Sequence, residues 1–473
     1  MHRHLAALVR QPLCLFALVA TVGYAPVSLT AQDTRTVTEP FFPQLCTTVD
    51  AQLQTDGRSL AAADEQKLDT ARIQRAIDKC GKGRAVMLHV NEKNNAFLSG
   101  PLELKPEVTL IVGLGVTLFA SRDPAVYAVS PGSCGIVSHG PGRRGCRPLI
   151  SVDHAPHSAI MGDGVIDGRG GDKMLGSQNS WWDLAEQAKA GGGQQVFRLV
   201  VANDSDDFTL YRITLKNSPN FHVSYNHGNG FTVWGVKIDT PHRVADSPHP
   251  LARNTDGIDP GDGTKNVTIT HSYIRAGDDN VAIKGGEGGA TNMTISHDHF
   301  YWGHGMSIGS ETFGGVSKIR VFDLSLDGTD SGIRIKSNGS RGGLTQDVSY
   351  DDVCIRNSPN PITMDTAYSA NGPLQGNSPP TMRDITLHNV RISGGGKFTF
   401  NGYDATHRIA ATLDGVQITD DAKYTYEFKH ADITLGPGAT NLQLPAGEDA
   451  TLQGKPAEGM PASCADKFVP FPE

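Results

Sequence analysis

Four short polar segments follow one another through the middle of the chain: Asn254-Thr255-Asp256-Gly257-Ile258-Asp259, Gly277-Asp278-Asp279-Asn280, Gly303-His304-Gly305 and Arg334-Ile335-Lys336. Carboxylates and an imidazole move protons; the two cations hold anions. The intervals from Asp256 to Asp278, to His304 and to Arg334 are 22, 26 and 30 residues. If each interval is one coil of stacked strands, equivalent positions on adjacent coils lie about 4.8 Å apart. Asp256, Asp278 and Asp279 then form one cluster, with His304 beside it and Arg334 and Lys336 one coil further on. Carboxylates so close repel, and at least one pKa must rise. A protonated acid beside ionised partners is what glycoside hydrolysis needs: one group protonates the leaving oxygen and another activates water. Arg suits a bidentate grip on a substrate carboxylate, and Lys acts as a mobile point charge.

Each segment alone has a plainer reading. Asp-Asp in a Gly-rich loop is a turn former. A cluster of Asp can hold calcium, although such a site would not include an intruding His and two cations. A lone His packs or faces solvent, and Arg-x-Lys on a strand is a solvated face. The coincidence of all four at coil spacing is what points to chemistry.

The elements that must position them are short strands. Thr109–Val112, Val116–Phe119, Ala159–Met161, Val165–Ile166, Phe208–Leu210 and Ile213–Leu215 are apolar runs broken by Gly, Asn and Asp. With 54 glycines in 473 residues, long helices are not expected. Asn266-Val267-Thr268-Ile269-Thr270-His271 recurs 26 residues later as Asn292-Met293-Thr294-Ile295-Ser296-His297, and Asn217-Ser218-Pro219-Asn220 recurs as Asn357-Ser358-Pro359-Asn360. Such units cannot bury a core alone and must stack. The pattern predicts an all-β fold, a right-handed parallel β-helix, over a β-sandwich with its hairpin turns every 8–12 residues or so. One helix is expected after Asp69 as N-cap, with Ile73, Ala76, Ile77 and Cys80 on one face. It would cap the open N-terminal end of the solenoid. The predicted solenoid domain spans residues 32–435, and the Pro/Gly-rich segment 436–473 is expected to lie on it as a tail.

The N-terminus reads as an export signal over residues 1–31: Arg3 and Arg10, an apolar run from Leu13 to Val22, and Leu29-Thr30-Ala31 before the cut. An uncleaved anchor is the alternative; Gly23, Pro26 and Ser28 break the run. The formal net charge of −8 becomes −10 on losing two basic and no acidic residues. No basic tract suggests a nucleic-acid partner, and no later segment could span a membrane. Six cysteines remain once Cys14 has left with the signal, and in an exported chain they read as disulfides. The expected pairs are Cys134–Cys146 around a Gly-rich loop, Cys46–Cys80 tying an N-terminal segment to the helix end, and Cys354–Cys464 by elimination. There is no Cys-x-x-Cys pair, so no zinc site is expected.

The ordered series Asn-Thr-Asp, Gly-Asp-Asp, Gly-His-Gly, Arg-Ile-Lys resembles the polygalacturonases of glycoside hydrolase family 28. The likeness runs over roughly residues 40–430. Ser180-Trp181-Trp182, Asn217-Ser218-Pro219-Asn220-Phe221-His222, Gly277 to Lys284, Gly303 to Thr312, and Arg144-Gly145-Cys146-Arg147-Pro148-Leu149-Ile150 resemble the bacterial endo enzymes in particular. The resemblance implies Asp278 as general acid, Asp256 and Asp279 as the pair that activates water, and His304 as support for the acid's protonation. It implies Arg334 and Lys336 as binders of galacturonate carboxylates, and Asn254 as a substrate contact. Tyr368 would match an active-site tyrosine, or be a packing or surface residue. The family is inverting, which needs carboxyl groups about 6.5–9.5 Å apart. No metal or organic cofactor is implied. The expected partner is polygalacturonate, cut at α-1,4 bonds by an extracellular, monomeric, endo-acting enzyme. Exo action, a rhamnogalacturonan hydrolase, a pectate lyase on the same fold and a non-catalytic carbohydrate-binding β-helix remain as alternatives. Lys284 and Arg253 are further candidate cations for the cleft.

Overall fold

The 26-residue repeat is one coil. Val267, Thr268 and Ile269 pair in parallel with Met293, Thr294 and Ile295, which pair in turn with Ile319, Arg320 and Val321. Alternate residues point inward, so Val267, Ile269, Met293, Ile295, Ile319 and Val321 stack as a buried column. Each such side chain contributes about 1.5–3 kcal/mol by leaving water. This computed structural model describes residues 32–140, 145–241, 252–369, 376–442, 445, 448–455, 457–459 and 462–473. The expected signal segment 1–31 with Cys14, and Arg144 of the Cys134–Cys146 loop, lie outside the described residues.

Three parallel faces make up a right-handed parallel β-helix. The first runs from Leu45–Asp50 through Arg84–His89, Val108–Val112, Ala159–Met161, Phe208–Tyr211 and Asn229–Trp234 to Thr264–Thr270. The second runs from Leu102–Glu103 through Ile150–Asp153, Val200–Asn203, Val223–Asn226, Ile258–Pro260, Val281–Ile283 and Met306–Ile308 to Ser331–Lys336 and beyond. The third runs from Ala96–Ser99 through Thr117–Ala120, Val165–Asp167, Thr214–Lys216 and Lys237–Asp239 to Tyr273–Arg275. From Ala290–Tyr301 onward one long strand per coil serves both the first and third faces, bending at His297, Asp323, Asp352 and Asn389, whose φ values are 57°, 52°, 53° and 53°. Asn, Asp and His are the side chains that best tolerate this left-handed backbone. Their recurrence in the sequence therefore marks the corners.

The helix forms over Thr70–Lys79 and buries Ile73 and Ile77. Asp69 sits at its N-cap but caps nothing with its side chain: the carboxylate accepts from Arg72 and from the Leu98 amide. Gln74 accepts from the Glu103 amide at 2.9 Å and donates to the Glu103 carbonyl at 3.0 Å. It thereby satisfies the strand edge that a further coil would otherwise pair. A second helix, Trp181–Ala188, has no counterpart in the sequence reading. It opens on a capping box between Ser180 and Asp183.

The solenoid ladder continues past residue 435, because Glu448–Gln453 pairs in parallel with Tyr424–Leu435. The chain then turns back along the corner between the first and third faces. Cys464 is bonded to Cys354, Lys467 pairs with Asp323 and Asp352, Phe468 lies under Arg356, and Phe471 lies 3.8 Å under Arg275. Disulfides also join Cys46 to Cys80 and Cys134 to Cys146. No helix among the described residues is long and apolar enough to cross a membrane. Cys464→Ser is expected to cost about 2–4 kcal/mol and to expose the last residues to protease. Urea unfolding with limited proteolysis reads both, and an unchanged digestion pattern would show that the ion pairs hold the tail alone.

Candidate active site

All four polar motifs meet on the second face. Ile258, Val281, Met306 and Ile333 are register partners on successive coils. The motif residues therefore stack just before and along these strands. The Gly257 amide donates to the Asp279 carbonyl at 2.8 Å, and the His304 amide donates to the Asp278 carbonyl at 2.8 Å. Close approach of the coils demands glycine at two points. A Cβ on Gly277 would lie 2.2 Å from the Ala252 carbonyl oxygen, and one on Gly303, at φ +102°, would lie 2.7 Å from that of Asp278. Asn280 locks the turn from inside. Its amide donates to the carbonyls of Ile274, Tyr301 and Trp302, and its oxygen accepts from the Gly305 amide.

Asp279 is 1% exposed and accepts from Ser307 at 2.7 Å, Arg334 at 3.0 Å and Lys336 at 2.6 Å. Burial pushes its carboxyl up, but Lys336 and Arg334 outweigh that and hold it ionised. One carboxylate against two cations leaves a net positive corner, and the Tyr368 ring faces it, 5.3 Å from Arg334 and 5.1 Å from Lys336. Both cations, expected to meet substrate, thus already share a protein carboxylate.

Asp278 accepts from His304 Nδ1 at 2.9 Å, from the Asp279 amide at 3.0 Å and from the Asn254 amide at 3.2 Å. Asn254 adopts φ 56° to reach it. Burial raises the Asp278 carboxyl, but His304, Lys336 and Arg334 overcome this and hold it well below the ordinary range. His304 also lies 3.4 Å from Asp330. Desolvation opposes its charge, yet Asp278 and Asp330 push its pKa up to about 10. The pair therefore carries one proton, resting on the imidazole. This differs from a protonated Asp278 standing alone. The expected like-charge repulsion is felt elsewhere: Asp256, 4% exposed, is raised by burial and then by Asp259.

The two further candidate cations for the cleft are both paired with protein carboxylates. Lys284 lies 3.3 Å from Asp256 and 3.2 Å from Asp259, and Arg253 lies 3.2 Å from Glu186. Neither is a spare cation awaiting an anion. Residue type and spacing alone do not mark Asp259, Ser307 or Asp330 as site residues, although Asp259 ends the Asn254–Asp259 motif. Ligand atoms of Asp278, Asp279 and His304 come within 4.8 Å of one another, a spacing a metal could use. The donors are already engaged: a divalent ion there would face Arg334, Lys336 and the imidazolium.

A parallel β-helix whose polar face stacks three carboxylates, an imidazole and two cations is the architecture of a hydrolase acting on an anionic polymer. The model of "Glycosyl hydrolases family 28" matches residues 80–435, and the chain belongs to that family. A polygalacturonase of Ralstonia nicotianae is 36% identical, covering 96% of this chain and 96% of its own. An endo-polygalacturonase of Pectobacterium carotovorum subsp. carotovorum is 40% identical, covering 87% of this chain and 96% of its own. The solved polygalacturonase of Erwinia carotovora ssp. carotovora superposes with a TM-score of 0.75 at 40% identity, covering 85% of this chain and 99% of that one.

Proposed function

We propose that this protein is an exported endo-polygalacturonase that hydrolyses α-1,4 bonds between galacturonic acid units with inversion. The observation that carries the reading is the stack of Asp256, Asp278 and Asp279 on neighbouring coils, with His304 on Asp278 and two cations on Asp279. A substrate carboxylate settles in the net positive corner of Arg334, Lys336 and Tyr368. Water held by Asp256 and Asp279 attacks the anomeric carbon and gives up a proton to a carboxylate. The Asp278–His304 pair delivers its proton to the leaving oxygen, moving from Nδ1 through the carboxylate as charge develops there. Water is the nucleophile, so the residues present suffice. Export follows the signal-like N-terminus and suits three disulfides. Endo action is supported by the likeness to the Pectobacterium enzyme.

The test is polygalacturonate with EDTA. New reducing ends without new near-ultraviolet absorbance, and a fast early fall in viscosity, are expected; proton NMR should show the inverted anomer first. Calcium-dependent formation of an absorbing, unsaturated product would replace hydrolysis with elimination, and absence of new ends would leave a binding protein.

A further inference from the structure

Asp259 and Lys284 sit in the site without a part in the reaction as set out above. Lys284 follows strand Val281–Ile283, one coil on from Ile258–Pro260, and its amide donates to the Pro260 carbonyl at 2.9 Å. The coil step brings its ammonium between two buried carboxylates, 3.3 Å from Asp256 and 3.2 Å from Asp259. Asp259 is 3% exposed, and neither of its oxygens accepts a hydrogen bond among the described residues. The Lys284 ammonium is fixed from another side by the Phe221 ring at 4.6 Å, whose ring also meets Arg198 at 4.2 Å. A groove of about 250 Å³ lined by Arg198, Phe221, Ser224, Asp259, Lys284 and Glu311 opens beside them.

We propose that Lys284 is a positioning residue that keeps Asp256 ionised and aimed at the attacking water, with Asp259 as the opposing charge that limits how strongly it does so. The inference rests on the reading of Asp256 as a water-activating group. The local charges are Asp256 and Asp259 on the preceding coil, Asp278 and Asp279 on Lys284's own coil, Glu311 on the next, and Arg198 beside Phe221. Arg334 and Lys336 are spent on Asp279, and His304 on Asp278. Among the described residues, Lys284 is thus the cation that answers Asp256. Burial and Asp259 drive the Asp256 carboxyl upward, with Lys284 opposing; burial takes Asp259 to about 6 against the same ammonium. The two carboxylates therefore compete for one cation, and each opposes the other's ionisation. Asp256 can serve as a base only when ionised, the form that the Lys284 ammonium at 3.3 Å favours.

The experiment measures kcat and KM on polygalacturonate across pH for four variants. Removing an opposite charge this close raises a carboxylate pKa by about 1–3 pH units. Lys284→Met should therefore move the acid limb of kcat/KM upward by that amount, costing about 10-fold or more at low pH, with KM little changed. Lys284→Arg should bring the limb back towards the parent. Asp259→Asn should move the limb the other way, to lower pH. The Asp259→Asn/Lys284→Met pair, which removes one charge of each sign, should recover most of the activity lost in Lys284→Met. A raised KM at all pH values with the limb unmoved would make Lys284 a substrate contact and overturn the proposal. Loss in Lys284→Met that the double variant does not recover would make the role structural and overturn it also. Hydrolysis by the parent chain separates these results from failure of the functional reading, in which the parent itself releases no reducing ends.

Discussion

Asp278→Asn is expected to lower kcat by about 10²–10⁴-fold while KM stays close to that of the parent chain. The asparagine fills the same space, but its single carbonyl oxygen can accept on one side only, from His304 and the Asp279 amide or from the Asn254 amide. It cannot relay a proton. A group needed only as charge builds on the leaving oxygen changes kcat and kcat/KM together, and this is the pattern to look for. The substitution also acts on His304. Asp278 is the first of the groups that push the imidazole upward, so without it His304 should titrate below its present value of about 10. The proton of the pair is then neither held nor aimed. NMR titration of the imidazole reads that effect apart from turnover. A variant retaining most of its kcat would place the donor elsewhere.

The stacking of the motifs is legible in the sequence because coil length is. Asn266–His271 and Asn292–His297 are near-copies, and their register partners coincide with the repeat. Corner positions are legible for the same reason, since His297, Asp323 and Asn389 belong to the few types that accept positive φ. What one residue does to its neighbour on the next coil is less visible. Lys284 and Arg253 look like spare cations until the register sets them against Asp256, Asp259 and Glu186. Arg334 and Lys336 look like a substrate clamp, and only the side-chain geometry reveals that Asp279 stands between them. The helix Trp181–Ala188 is too short for periodicity to separate it from a loop; its capping box and buried tryptophans are the signal that could have found it. The last paired strand, Glu448–Gln453, is hidden in a Pro/Gly-rich stretch whose composition reads as tail.

Asp279→Asn should damage both stability and catalysis, and the two losses can be pulled apart. Asp279 is the acceptor that lets Arg334 and Lys336 be buried, at side-chain exposures of 13% and 6%. Neutralising it leaves two cations facing each other with little water, and breaking a buried pair by removing one partner costs about 3–5 kcal/mol. The midpoint of urea unfolding should fall accordingly, and kcat should fall with it, because one of the two carboxylates proposed to activate water is gone. Lys336→Met added to Asp279→Asn removes the surplus charge. It should recover much of the stability and none of the turnover, since the hydrogen-bonded carboxylate is still missing. Such a coupling between neighbours is what a double-mutant cycle isolates. Galacturonate oligomers should also stabilise Asp279→Asn more than the parent chain, because the substrate carboxylate can stand in for the missing charge between Arg334 and Lys336. Equal stability of Asp279→Asn and the parent would mean that solvent reaches the two cations, and that the corner is too well hydrated to grip a uronate by charge.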